Sequence, residues 1–197
     1  MKKTAVLIYN LFCNFEISVA LEILAMAEKP ITVFSKDMNP VMSEEGITII
    51  PDRSIHELII EEYDSLILPG AIDIRGIITD ESILIFIREF AVRGMVIGAI
   101  SIAPILLLKV GALGEKPFMA GVNREELFEE GFTASELAYM VGWDDNLEKP
   151  IPEGYVISEN IVTSVSYHFV RWGLAFGRML GIDIPPETFG FSTLAGD

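Results

Sequence analysis

The chain has one cysteine, Cys13, two histidines, and only 14 basic side chains against 29 acidic ones in 197 residues. A single cysteine excludes an intrachain disulfide and suits a reducing compartment, so the expected location is the cytoplasm. The formal charge of −15 repels phosphate backbones and anionic lipid surfaces, which argues against nucleic acid or a membrane as partner. Also missing is any uninterrupted apolar run of the roughly 18 residues that a membrane span needs. The apolar run behind Met1-Lys2-Lys3, from Ala5 to Tyr9, is too short for a secretory signal, and Asn10, Asn14 and Glu16 interrupt the stretch beyond it. No repeat, low-complexity tract or linker divides the chain. Residues 1–197 are therefore expected to form one domain, with no metal and no cofactor.

What is present is enough apolar material, 51% of the residues, to fill one core. Short apolar runs at Thr4–Tyr9, Ile31–Ser35, Ser65–Leu68 and Met95–Ile100 have the look of strands covered on both faces. Phe118–Ala120 is a candidate fifth. Asn14–Ala27 has helical spacing through Phe15, Val19, Ile23 and Met26. Asp80 is placed to cap a helix over Ser82–Arg93 that Gly94 ends, and Ala103–Val110 reads as a helix closed by Gly111. Arg124–Glu130 reads as an acidic surface helix, and Phe169–Leu180 as a last amphipathic one. Val41–Met42 with Ile47–Ile50, and Tyr155–Ile157 with Ile161–Ser164, are hairpin candidates. The loop Gly142–Gly154, with two prolines and four acids, looks least ordered. Strands alternating with helices predict an α/β fold with a mostly parallel sheet between helical layers.

In such a sheet, ligands bind outside the carboxyl ends of the strands. Asn10–Glu16, Pro69–Asp73 and Ala99–Pro104 are expected there. The third reads Gly98-Ala99-Ile100-Ser101-Ile102-Ala103-Pro104, a polar residue between a buried strand and a helix start, with alanines two positions to either side. That spacing resembles a nucleophile elbow, where small neighbours permit a sharp turn and helix N–H groups face the attacked atom. The same spacing also fits a plain helix cap, since serine is a favoured N-cap and Pro104 is ordinary first-turn punctuation.

Three stretches resemble the ThiJ/PfpI family of the class I glutamine amidotransferase-like superfamily. They are Ala5–Leu24, with Glu16 in the place of the family's buried acid; Leu66-Ile67-Leu68-Pro69-Gly70; and Gly98–Leu113 followed by Lys116-Pro117. Val156–Leu180 fits the closing hairpin and helix. The resemblance implies a flavodoxin-like three-layer sandwich, usually a homodimer, among hydrolases and lyases of small molecules, peptidase-like assemblies, dicarbonyl-processing enzymes and stress sensors. It implies an elbow cysteine hydrogen-bonded to the buried glutamic acid, but the residue here is Ser101. The following position, histidine in the peptidase-like branch, is Ile102. The second glycine of the Leu-Pro-Gly turn is Ala71, and Ser166-Tyr167-His168 replaces a Gly-Pro-Gly loop. A serine hydroxyl is far less acidic than a thiol and needs an adjacent base.

The resemblance thus implies Ser101 and Glu16 as catalytic residues acting on a small carbonyl or amide compound, with backbone N–H groups of Gly70, Ala71 and Ile102 binding an oxyanion. A non-catalytic, ligand-binding or stress-response relative is the alternative. More distantly, Ser101, Asp144 or Asp145, and His168 follow the chain order of a serine hydrolase triad. His168 is a candidate base or a packed helix-start histidine, and His56 reads as surface. Cys13, as an exposed loop thiol, is a candidate redox group. Asp73 and Arg75 are candidate pocket residues or plain loop charges. Trp143-Asp144-Asp145 either bears on specificity or covers an edge of the core.

Overall fold

The computed structural model describes residues 1–190. Its strands are β1 (Lys3–Leu7), β2 (Ile31–Ser35), β3 (Val41–Met42), β4 (Thr48–Ile49), β5 (Arg53–Ser54), β6 (Tyr63–Leu68), β7 (Val96–Ile100), β8 (Phe118–Met119), β9 (Met140–Val141), β10 (Val156–Ser158) and β11 (Ile161–Ser164). The helices are α1 (Asn14–Met26), α2 (Glu81–Ala91), α3 (Pro104–Lys109), α4 (Arg124–Glu129), α5 (Trp143–Glu148) and α6 (Phe169–Met179). Seven strands form the central sheet in the order β10-β11-β7-β6-β1-β2-β5. All neighbours run parallel except β10, which returns antiparallel on β11 through the Ser158–Ile161 turn.

The inner strands are apolar on both faces because helices cover both. Residues Ala5 to Leu7 of β1 and Leu66 to Leu68 of β6 are almost wholly buried, the signature of a doubly covered parallel sheet. On one side α1 and α6 pack on each other. Here Gly98 of β7 has a specific reason to be glycine: a Cβ would stand 2.7 Å from the Phe176 ring and 2.8 Å from Trp172. On the other side α2 and α3 meet over β6 and β7. Phe34, Tyr63, Phe86 and Phe90 form a chain of tilted and edge-to-face rings beneath α2. Asp80 caps α2 as its sequence suggests, its carboxylate accepting the N–H groups of Ser82 and Ile83.

The structure differs from the expected elements at three points. Phe118–Met119 is a strand, but it pairs with Met140–Val141 in a separate two-stranded sheet rather than joining the central one. Arg53–Ser54 adds an edge strand beside β2 that has no apolar run of its own to reveal it. The stretch Gly142–Gly154 holds helix α5, started by the Asp145 carboxylate accepting the Gly142 N–H at 2.9 Å and anchored by buried Asn146, whose side-chain oxygen accepts the Ile151 N–H at 3.1 Å. The acidic helix α4 lies at the surface as expected, with Leu127 as its one buried residue. Among the described residues no helix is long and apolar enough to cross a membrane.

Candidate functional site

Ser101 sits where β7 ends and the chain turns towards α3, with φ of 61°. For a residue with a Cβ this left-handed conformation costs roughly 1–2 kcal/mol, so the surrounding structure must hold it. Three backbone contacts do so. The Ser101 N–H donates to the Ser164 carbonyl at 2.8 Å, its carbonyl accepts the Gly121 N–H at 2.7 Å, and Ala103 N–H donates back to Ile100 at 3.1 Å. The capping alternative is not what the chain adopts. Ala103 occupies the N-cap position of α3, and no side chain caps that helix.

Two glycines press against the serine. A Cβ on Gly70 would lie 2.6 Å from Ser101 Cβ, 2.8 Å from its Oγ and 2.5 Å from Glu16 Oε2. A Cβ on Gly121 would lie 3.0 Å from Ser101 Cα and 3.2 Å from Oγ. The Leu68-Pro69-Gly70 strand end therefore brings backbone, serine and glutamate within one side chain's volume.

Glu16 lies in the first turn of α1 yet is only 1% exposed. Its Oε2 accepts the Gly70 N–H at 2.8 Å. Burial pushes its carboxyl up to about 7, against the opposing pull of the Gly70 N–H and the Ser101 and Cys13 side chains, while the neighbouring Glu44 charge pushes it up further. A carboxyl poised near neutrality beside a hydroxyl is suited to proton exchange.

The remaining candidates divide. The Gly70 N–H is taken by Glu16, whereas the N–H groups of Ala71 and Ile102 meet no acceptor among the described residues. Cys13, expected to be exposed, is buried at the N-cap of α1, and its Sγ donates to Glu44 Oε2 at 2.9 Å. Burial and three nearby carboxylates push that thiol far up, the opposite of a reactive thiolate. His168 starts α6 with its ring against Tyr167 and the Gly154 backbone. No hydrogen bond joins it to Ser101 among the described residues, and burial, with Arg171, lowers its pKa. Asp144 accepts the Asn123 side-chain amide at 3.0 Å and Asp145 pairs with Arg124 at 2.5 Å, so both are engaged elsewhere. Trp143 stacks edge-on against Tyr167. His56 is exposed, as expected.

Asp73 and Arg75 form a fork on the exposed loop after Ala71: Nε to Oδ1 at 2.9 Å and Nη2 to Oδ2 at 2.7 Å. The guanidinium holds the Asp73 carboxyl down to about 2. Both residues edge a cavity of about 180 Å³ whose walls include Ile102, Ile105 and Val122. Ile102 directly follows Ser101, and Val122 directly follows Gly121.

Sequence reasoning did not single out Gly121, Glu44 or Tyr9. The Tyr9 hydroxyl donates to the Pro69 carbonyl and ties the end of β1 to the end of β6. Glu44 and Glu45 sit on the β3–β4 hairpin turn and reach the start of α1, where Glu45 accepts the Asn14 and Phe15 N–H groups at 3.3 and 2.9 Å. The available signal was Glu44-Glu45-Gly46, legible as a turn but not as a helix cap supplied from a distance.

The pattern of the DJ-1/PfpI family matches residues 2–175 of this sequence. The chain belongs to the DJ-1/PfpI family. Its fold is accordingly the flavodoxin-like α/β fold, a mostly parallel sheet with flanking helices. It is similar to a DJ-1 superfamily protein from Agrobacterium tumefaciens, with TM-score 0.77 and 19% identity over 96% of this chain and 94% of that one. It is also similar to DJ-1 of Schizosaccharomyces pombe, with TM-score 0.70 and 19% identity over 99% of this chain and all of that one. A two-domain protein from Anabaena variabilis, containing DJ-1/ThiJ/PfpI-like and ferritin-like domains, matches with TM-score 0.77 and 19% identity. This DJ-1/PfpI chain covers 98% of itself in that match but spans 56% of the Anabaena chain. At these identities the likeness is one of fold. No curated protein matches the sequence.

Proposed function

We propose that this DJ-1/PfpI protein is a hydrolase or lyase of small carbonyl or amide compounds, with Ser101 as nucleophile and Glu16 as its proton partner. The observation that carries the reading is the Glu16 carboxyl, buried, raised to about 7 and lying against the Ser101 hydroxyl. Above that pH the carboxylate accepts the hydroxyl proton as Oγ bonds to the substrate carbonyl carbon. When the C–N or C–O bond breaks, Glu16 returns the proton to the leaving atom, and water then releases the acyl group. The N–H groups of Ala71 and Ile102 are the donors left for the developing oxyanion. Gly70 serves this scheme by orienting Glu16 rather than by binding the oxyanion.

The protein is expected to act as a cytoplasmic homodimer on a small-molecule ligand. A non-catalytic, ligand-binding or stress-response role is the competing reading. Screening wild type, Ser101→Ala and Glu16→Gln against small esters, amides and dicarbonyls separates the two. Turnover lost in both variants supports the enzyme. Ligand binding with no turnover in any of the three supports the alternative. Light scattering at micromolar concentration tests the dimer.

A further inference from the structure

The cavity lined by Ile102 and Val122, the chain neighbours of Ser101 and Gly121, combines buried apolar walls with exposed charged ones. Its interior is formed by Ile78, Ile102, Ile105, Leu127 and Phe132, and its rim carries Asp73, Arg75, Glu126 and Glu130. Of these charges, Asp73 is neutralised by Arg75 in their forked ion pair. Glu126 accepts the Asn123 N–H at 3.2 Å, and Glu130 faces Arg75 only at a distance. Three carboxylates against one guanidinium leave a negative rim. The volume, about 180 Å³, slightly exceeds the roughly 150 Å³ apolar cavity that accepts a benzene molecule.

We propose that this cavity binds a compact apolar group, a six-carbon ring or branched chain, carried on an uncharged or cationic carbonyl compound and not on an anion. The placement favours this. The wall residues Ile102 and Val122 are the chain neighbours of Ser101 and of Gly121, which packs on Ser101. Ser101 is not itself a wall of the cavity, so the link to the turn is through these two wall residues alone. The carbonyl part of the inference rests on the reading of Ser101 as the reacting group, whereas the apolar and charge preferences rest on the cavity alone.

The test is titration calorimetry with three probes: cyclohexanecarboxamide, cyclohexanecarboxylate and acetamide. The first should bind, and the other two should bind at least about tenfold more weakly, since acetamide lacks the ring and the carboxylate brings a charge to an acidic rim. Val122→Phe narrows the cavity and should weaken the amide about tenfold, the equivalent of excluding one to two methylenes. Leu127→Ala widens it and should admit 1-adamantanecarboxamide better than wild type does, which keeps the test decisive if the phenylalanine variant fails to fold. Ser101→Ala should bind the cyclohexyl amide as wild type does. Binding that ignores both cavity substitutions, or a carboxylate that binds as well as the amide, overturns the pocket. Turnover of small amides without this binding also overturns it while leaving Ser101 as nucleophile. Binding in wild type and Ser101→Ala with no turnover anywhere upholds the pocket and removes the catalytic reading.

Discussion

The Gly70 backbone N–H donates to Glu16 Oε2 at 2.8 Å, joining groups 54 residues apart in the chain, and a side chain on Gly70 would occupy the space of the carboxylate it serves. This bond holds a carboxyl that burial has raised from its ordinary 4.5 to about 7. The folded protein therefore holds a proton on Glu16 between those values that the unfolded chain has already lost. By linkage, stability from this group is full below about pH 4.5, declines as pH rises towards 7 and is constant above it. The difference is on the order of 3 kcal/mol. Glu16→Gln removes the dependence while keeping an acceptor for Gly70. Denaturant melts at pH 5 and pH 8 should show the variant gaining on wild type by about that amount at the higher pH. A gap that stays the same at both pH values refutes a raised Glu16.

Gly70→Ala and Gly121→Ala should separate by the space each has. At Gly70 the new methyl stands 2.5 Å from a carboxylate oxygen and 2.6 Å from Ser101 Cβ, both held in place by the fold. At Gly121 its nearest atom is 3.0 Å away, and a shift of a few tenths of an ångström relieves it. We expect Gly70→Ala to cost about 1–3 kcal/mol, as overpacking of a close-packed interior does, and to displace Glu16 from Ser101. Gly121→Ala should cost less and leave the pH dependence of stability in place. Equal losses at the two positions would contradict the close approach at Gly70.

Much of the sheet was legible because its strands are apolar, β-branched runs with turn residues at their ends. Ile31–Ser35 coincides with β2 for that reason. The edge strand Arg53–Ser54 was not, because two polar residues on a neighbour's edge carry no pattern. Helix α5 was hidden by its own acids: Asp145 closes a cap on Gly142 and pairs with Arg124, partners that only the folded chain supplies. At the site, the turn at Ser101 was legible from small residues around a polar one. Its left-handed φ and the engagement of the Gly70 N–H were not. The burial of Cys13 was invisible for a similar reason, since the Glu44 that accepts its thiol proton comes from a hairpin 31 residues on.

The two thiols of a Ser101→Cys variant should behave oppositely. Cys13 is buried among carboxylates that push its pKa up, so wild type should react with a disulfide reagent at pH 8 far more slowly than a free thiol of pKa about 8.5. A cysteine at 101 would sit at a strand-to-helix turn next to the unclaimed Ile102 N–H, and below about pH 7 the neutral Glu16 carboxyl can donate to a thiolate. We expect a second, faster thiol with a pKa below about 8.5 that peroxide oxidises. Cys13→Ala combined with Ser101→Cys assigns the fast phase. If the new thiol titrates above that value, the turn does not stabilise an anion.

Replacing Ser101 by glycine puts stability and chemistry in opposition. The serine holds φ at 61°, a region that costs a side-chain-bearing residue roughly 1–2 kcal/mol and glycine almost nothing. Glycine returns part of that gain through the greater entropy of the unfolded chain. The balance should leave Ser101→Gly up to about 1 kcal/mol more stable than wild type. Ser101→Ala keeps the strain and should fall at or slightly below wild type, having lost the hydroxyl beside Glu16. Both should abolish any turnover that depends on Oγ. Chemical denaturation of the three proteins at pH 5, with Glu16 protonated in all of them, measures the order. A glycine variant less stable than the alanine one would mean that the backbone at 101 is not strained, and the case for a turn held open for function would lose its structural basis.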